Sequence, residues 1–195
     1  MESPSKKSFS LQTWSTRDIL TLAAIVGALA VVSAISAYAR TGLEAAFGPI
    51  GNRIVMVINI FVLFVPPYFI RRPLTAVLAS VLIGVILLPV SPFGLISLVG
   101  YLVGGIITEL IFATGRYRTY SARFLIIGGI VYNAITLGLI WIPLQVGALG
   151  TIGLLGMIIG TLVGGALGGW LTKRVGDAVQ QSGVLAHQLE AEEEI

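Results

Sequence analysis

Charge is scarce in this chain of 195 residues: 12 basic and 9 acidic side chains make up 11% of it, against about a quarter in a typical water-soluble domain. Cysteine is absent, which excludes a disulfide framework, a thiolate metal site, an iron–sulfur cluster and a cysteine nucleophile. The single histidine, His187, cannot build a histidine metal centre alone. No glycine is followed by lysine, so there is no G-x-x-x-x-G-K-[ST] loop and the chain is not its own nucleotide-driven motor. It also lacks an H-E-x-x-H motif and paired carboxylates within its apolar stretches. Hydrolytic and metal-dependent catalysis therefore lose their usual groups, and neither an enzyme nor a bound cofactor or metal is expected. The net charge of +3 is too small to argue for nucleic acid as a partner.

What the chain has in quantity is apolar surface: 56% hydrophobic residues, 24 glycines and a mean hydropathy of +0.96. Six apolar segments stand out, at residues 19–39, 54–70, 74–90, 95–113, 124–142 and 152–172. Each has about 17 to 21 residues, enough to cross a hydrocarbon layer of roughly 30 Å as a helix. The expected fold is an all-α integral membrane protein with six transmembrane helices in the cell membrane. It divides into a tail over 1–18, a transmembrane substrate-binding domain over 19–174 and a tail over 175–195. Lysine and arginine in the connections count ten on the side of both termini and two, Arg40 and Arg53, on the other; both termini are expected in the cytoplasm. After Arg174 a short surface helix and an acidic tail over 190–194 are expected.

The outer connection from Arg40 to Arg53 carries Leu43, Phe47 and Ile50, a pattern suited either to a lid-like loop over the bundle mouth or to a segment lying on the lipid interface. Small residues four apart let helices approach closely in lipid. They recur as Ala23/Gly27 and Ala24/Ala28 on helix one and as Gly160/Gly164/Gly168 on helix six. Both stripes fit packing within the chain, and helix one equally fits docking to a separate membrane partner. Glu109 is the one ionisable side chain within the six segments. Such a carboxylate marks either a ligand or proton path or an interhelical bond. Asn59, Tyr101, Tyr132, Asn133 and Thr136 cluster toward the outer half, with Asn133, Leu137 and Trp141 spaced along one face. The candidate substrate-binding residues are Asn59, Tyr101, Glu109, Tyr132, Asn133 and Trp141, around an outward cavity for a small ring compound.

Several stretches carry a family resemblance: Trp14 with Arg17-Asp18-Ile19, Phe47-Gly-Pro-Ile50, Tyr68-Phe-Ile-Arg-Arg-Pro73, Glu109 followed by Phe112-Ala-Thr, Arg116-Tyr-Arg-Thr-Tyr-Ser121 and Ser182-Gly-Val-Leu185. In order and spacing the chain resembles the substrate-binding S components of energy-coupling factor (ECF) vitamin transporters, and more narrowly the YkoE group, assigned to thiamine or its hydroxymethylpyrimidine precursor. The resemblance implies a membrane receptor that captures a vitamin-like compound from outside. It would hand that compound to a transmembrane coupling protein and two cytoplasmic ATPase subunits. It implies a ligand role for Glu109 and a coupling-protein docking role for Ala24 and Ala28. The chain departs from the group's pattern at Arg53, Asn59, Ile86 and Gly104, which leaves the ligand open between thiamine, a neutral pyrimidine and another small heterocycle. The alternative from another class is a non-transporting membrane scaffold or assembly subunit.

Overall fold

A computed structural model describes residues 14–141, 146 and 149–182. The amino-terminal lysines Lys6 and Lys7, His187 and the acidic tail lie outside them, as does most of the 182–185 motif. Six helices follow in order: α1 (Thr16–Phe47), α2 (Pro49–Phe69), α3 (Thr75–Leu87), α4 (Leu95–Thr114), α5 (Ala122–Ile140) and α6 (Gly150–Gln181). Five of them are long and apolar enough to cross a membrane. The exception is α3, with 13 residues, about 20 Å at 1.5 Å per residue. Its expected last turn, Leu88 to Val90, is a string of turns leading into Ser91.

α1 opens on a capping box: the Asp18 backbone N–H donates to Ser15 Oγ (3.2 Å), and the Ser15 N–H donates to Asp18 Oδ2 (2.9 Å). It then runs 32 residues, straight through most of the expected outer loop. Leu43, Glu44, Ala45 and Ala46 are good helix formers, and Arg40 pairs with Glu44 one turn on (2.7 Å). The chain reverses at Gly48, whose φ of +60° suits glycine, and Pro49 starts α2 where its missing N–H costs nothing. Gly51 lets the two helices touch, because a Cβ there would overlap the Leu43 carbonyl. A tight helical crossover thus takes the place of the expected loop. At the other end of the chain the expected separate surface helix is the continuation of α6 to Gln181.

α6 lies against α5 and α2, α3 against α4, and α1 against α2 and α3. Its glycines form two rows. Gly160, Gly164 and Gly168 face α2, against Arg53, Val57 and Ile60, while Gly165 and Gly169 meet the α5 backbone at Gly129 and Leu125. The helix-six stripe therefore packs within the chain. The helix-one stripe does not: Ala23, Ala24, Gly27 and Ala28 are all exposed, and nothing lies within 4 Å of a Cβ built on Gly27.

Two apolar clusters fill the bundle. One joins α2, α4 and α5 through Leu63, Phe64, Ile107, Phe112, Leu125 and Tyr132. The other joins α1, α2 and α3 through Leu22, Val26, Leu29, Val62, Ile83 and Leu87. The basic residues of the α2–α3 and α4–α5 connections share one end with the start of α1, where Arg72 pairs with Asp18 (3.0 Å).

Candidate functional site

Above these clusters, toward the Gly48 end, side chains part to leave a cavity of about 600 Å³, in the range that holds a small organic ligand. Four helices supply most of its wall, with Leu87 at the end of α3 and Phe93 just after it adding to it. α1 contributes Ser33, Ser36 and Arg40; α2 contributes Asn52, Met56 and Asn59; α4 contributes Ser97 and Tyr101; α5 contributes Tyr132 and Thr136. Leu63, Gly104 and Tyr132 also border it. Gly104 leaves room for the phenol, since a Cβ there would sit 2.7 Å from the Tyr132 hydroxyl. Tyr132 is held from behind by Phe64, edge to face at 6.2 Å.

Several polar groups of the wall are occupied. Ser33 Oγ donates to the Leu29 carbonyl (2.7 Å), Ser36 Oγ to the Ser33 carbonyl (2.9 Å) and Thr136 Oγ1 to the Asn133 carbonyl (2.9 Å). The amide oxygens of Asn52 and Asn59 are different: both are buried with no hydrogen-bond partner among the described residues. An unmet buried acceptor is costly, and both asparagines stand in the cavity wall. The lining is mostly apolar, and among the described residues its polar part is amides, hydroxyls and two phenol rings, with one guanidinium and no carboxylate.

Of the candidates drawn from the sequence, Asn59, Tyr101 and Tyr132 line this cavity; Glu109, Asn133 and Trp141 do not. On α5 the face turned to the cavity is Tyr132, Thr136, Leu139 and Ile140, one position round from the Asn133–Leu137–Trp141 row. That row turns to α6 instead. Asn133 Nδ2 donates to the Thr161 carbonyl (3.0 Å), Leu137 packs with Met157, and Trp141 is 41% exposed at the helix end.

Glu109 is about 7.5 Å further along α4 than Gly104 by rise per residue, at the level of the inner connections. It accepts the backbone N–H groups of Leu74 and, at 3.0 Å, Ala76, and the Tyr117 hydroxyl. Two of these donors are in left-handed backbone, Leu74 at φ +68° and Tyr117 at +54°. One carboxylate therefore caps the start of α3 across helices and ties down both inner connections. Burial, then the bond and charge of Glu109, push the Tyr117 phenol above its ordinary range, so it remains a donor.

A charge that sequence reasoning placed in the outer loop is in fact inside. Arg53, five residues into α2, is only 1% exposed. Its Nη1 donates to Asn133 Oδ1 (2.8 Å), and Gly160 and Gly164 on α6 make space for its stem and backbone. The wall residues Ser33, Ser36, Arg40, Asn52 and Ser97 were missed too. For α1 the signal was available: Ser33, Ser36, Ala37 and Arg40 follow i, i+3, i+4, i+7. For Asn52 it required knowing that α2 starts at Pro49, which puts Asn52, Met56, Asn59 and Leu63 on one face.

Residues 17–135 match the family model described as the ABC-type cobalt transport system, permease component. A Bacillus subtilis (strain 168) protein named as an HMP/thiamine permease, YkoE, is 27% identical over 183 residues, covering 90% of this chain and 89% of that protein. A crystal structure of an S-component of an ECF transporter superposes with a TM-score of 0.80 at 25% identity, over 93% of this chain and 96% of that one.

Proposed function

From the premise that this multi-pass membrane protein belongs to the family of ABC-type transport-system permease components and has the fold of an ECF S component, we propose that it is a substrate-capture subunit. It takes a small heterocycle of the hydroxymethylpyrimidine or thiamine kind from outside the cell. The observation that carries this is the cavity itself: about 600 Å³, mainly between α1, α2, α4 and α5, with Asn52 and Asn59 in its wall, whose amide oxygens lack donors among the described residues. A nitrogen heterocycle bearing amino or hydroxyl groups supplies such donors, and Tyr101 and Tyr132 offer planes to its ring. A metal cargo fits the wall poorly, because among the described residues no histidine, cysteine or carboxylate lines it.

Asn59 is the residue on which to test capture. Asn59→Leu keeps the branched shape and removes the acceptor, so the affinity for hydroxymethylpyrimidine or thiamine, whichever binds, falls about tenfold while the unfolding temperature holds. Titration calorimetry on detergent-purified protein measures the affinity, and a thermal melt of the same sample measures the stability; unchanged affinity would remove Asn59 from the site.

Release inward requires a motor, and the chain has none. A transmembrane coupling protein with two cytoplasmic ATPases would serve, with both termini on the ATPase side. The exposed small-residue face of α1 at Ala24 and Ala28 is the docking surface in this reading. Ala24→Leu and Ala28→Leu should then leave ligand affinity untouched and reduce uptake into cells by about tenfold or more, since bulk there holds backbones apart. Normal uptake by both variants would rule that face out.

A further inference from the structure

Three of the four described carboxylates act away from the cavity. Asp18 pairs with Arg72 and Asp177 with Lys173, both at the inner end, and Glu109 caps α3. The one remaining, Glu44, lies on the outer side and is taken by Arg40 at 2.7 Å. Arg40 itself lines the cavity, its guanidinium 4.8 Å from the Phe93 ring centre.

That leaves Arg53. It stands one layer behind the wall, with Asn52, Val55 and Met56 of its own helix turn lining the cavity. Its only described hydrogen-bond partners are two oxygens of Asn133, the side-chain Oδ1 and, more weakly at 3.4 Å, the main-chain carbonyl. Its Nε and Nη2 have no partner among the described residues. Beside it, Asn52, a residue of the cavity wall, has a buried amide oxygen that is equally unmet. The region around the cavity thus holds two guanidinium groups and one carboxylate. Arg40 and Glu44 offset each other, and one buried positive charge stays uncompensated in a medium of low dielectric, where its field reaches furthest.

We infer that the cavity selects by charge: it takes ring compounds with no fixed positive charge, gains from an acidic substituent, and rejects cations such as a thiazolium. This rests on the capture function proposed above and narrows it to the uncharged or anionic side of the compounds considered there. Arg53 is the specificity-determining residue, acting through its field rather than by contact. A unit charge about 10 Å away at an effective dielectric of about 20 changes affinity by roughly tenfold.

Three ligands sharing one pyrimidine make the test: hydroxymethylpyrimidine, uncharged; its phosphate ester, anionic; and thiamine, which carries a thiazolium. Affinities are measured by titration on the purified full chain. Hydroxymethylpyrimidine is expected to bind at least tenfold more tightly than thiamine, and the phosphate ester also more tightly than thiamine. In Arg53→Gln the gap between hydroxymethylpyrimidine and thiamine closes to within about threefold. Because Arg53 also ties α2 to α5, Arg40→Gln is a second variant that leaves that tie intact. It frees the Glu44 charge and should strengthen thiamine several-fold relative to hydroxymethylpyrimidine. Thiamine equalling or leading hydroxymethylpyrimidine in the unmodified protein, or a gap that neither variant alters, overturns the charge inference alone. Failure of all three ligands to bind overturns the capture function for this ligand class, and the charge inference with it.

Discussion

Glu109→Ala lowers the unfolding temperature of the detergent-purified protein by on the order of 10 °C and leaves affinity for a cavity ligand within about twofold of the unmodified chain. The expectation follows from what the carboxylate holds. Two backbone N–H groups at the start of α3 and the Tyr117 hydroxyl all donate to it. Removing the acceptor leaves three donors without it, one buried and two part-buried, at a cost of about 3–5 kcal/mol. For a chain of this length each kcal/mol moves the midpoint by roughly 2–4 °C. Glu109→Gln keeps one oxygen and should fall about half as far. A thermal melt and a titration on the same samples separate the possibilities. An unchanged melting point with lost affinity would make Glu109 a ligand group, as the family resemblance implies, and would contradict its capping role.

Gly169→Val should yield no folded, monodisperse protein. A Cβ at this position would overlap the Leu125 carbonyl of α5, and Gly129 and Gly165 stand in the same relation one turn away. These are backbone contacts, which a rotamer change cannot relieve, so the helices must separate. Overpacking of this kind costs about 3 kcal/mol or more. Without a hydrophobic force between helices in lipid, little else holds α5 to α6 at that point. Gly27→Val on the open face of α1 is the control, because nothing lies within 4 Å of a Cβ there. Size-exclusion profiles of the fluorescently tagged proteins decide it: Gly169→Val should aggregate or fail to accumulate, and Gly27→Val should elute normally. A normal profile for Gly169→Val would show that the α5–α6 contact is looser than described.

Apolar length and the scarcity of charge suffice to recover the membrane bundle and five of its long helices from sequence, since lipid imposes both directly. The outer crossover was hidden for a specific reason. Arg40 and Arg53 read as loop residues because a lone cation in a membrane helix is costly. In the fold Arg40 has Glu44, while Arg53 is sheltered by Asn133 and the glycines of α6. None of those partners is near Arg53 in sequence. Losing that boundary displaced Asn52 from the wall, and it left Glu109 as the sole charge to explain. Asn59, Tyr101 and Tyr132 were drawn from the sequence and stand in the wall, yet the row chosen on α5 missed the lining, because Asn133 turns to Thr161 of α6. Periodicity identifies residues that share a face; it does not say which neighbour that face meets.

The central claim is that the space between α1, α2, α4 and α5 holds a guest molecule. Titration calorimetry of the purified chain with hydroxymethylpyrimidine and thiamine, run beside Thr136→Trp, tests it most directly, because an indole at that wall position occupies the space a ligand needs. Saturable one-to-one binding of at least one compound, abolished in a Thr136→Trp protein that still melts cooperatively, is the predicted result. Binding that survives the tryptophan, or no binding of either compound by the unmodified chain, would contradict the account.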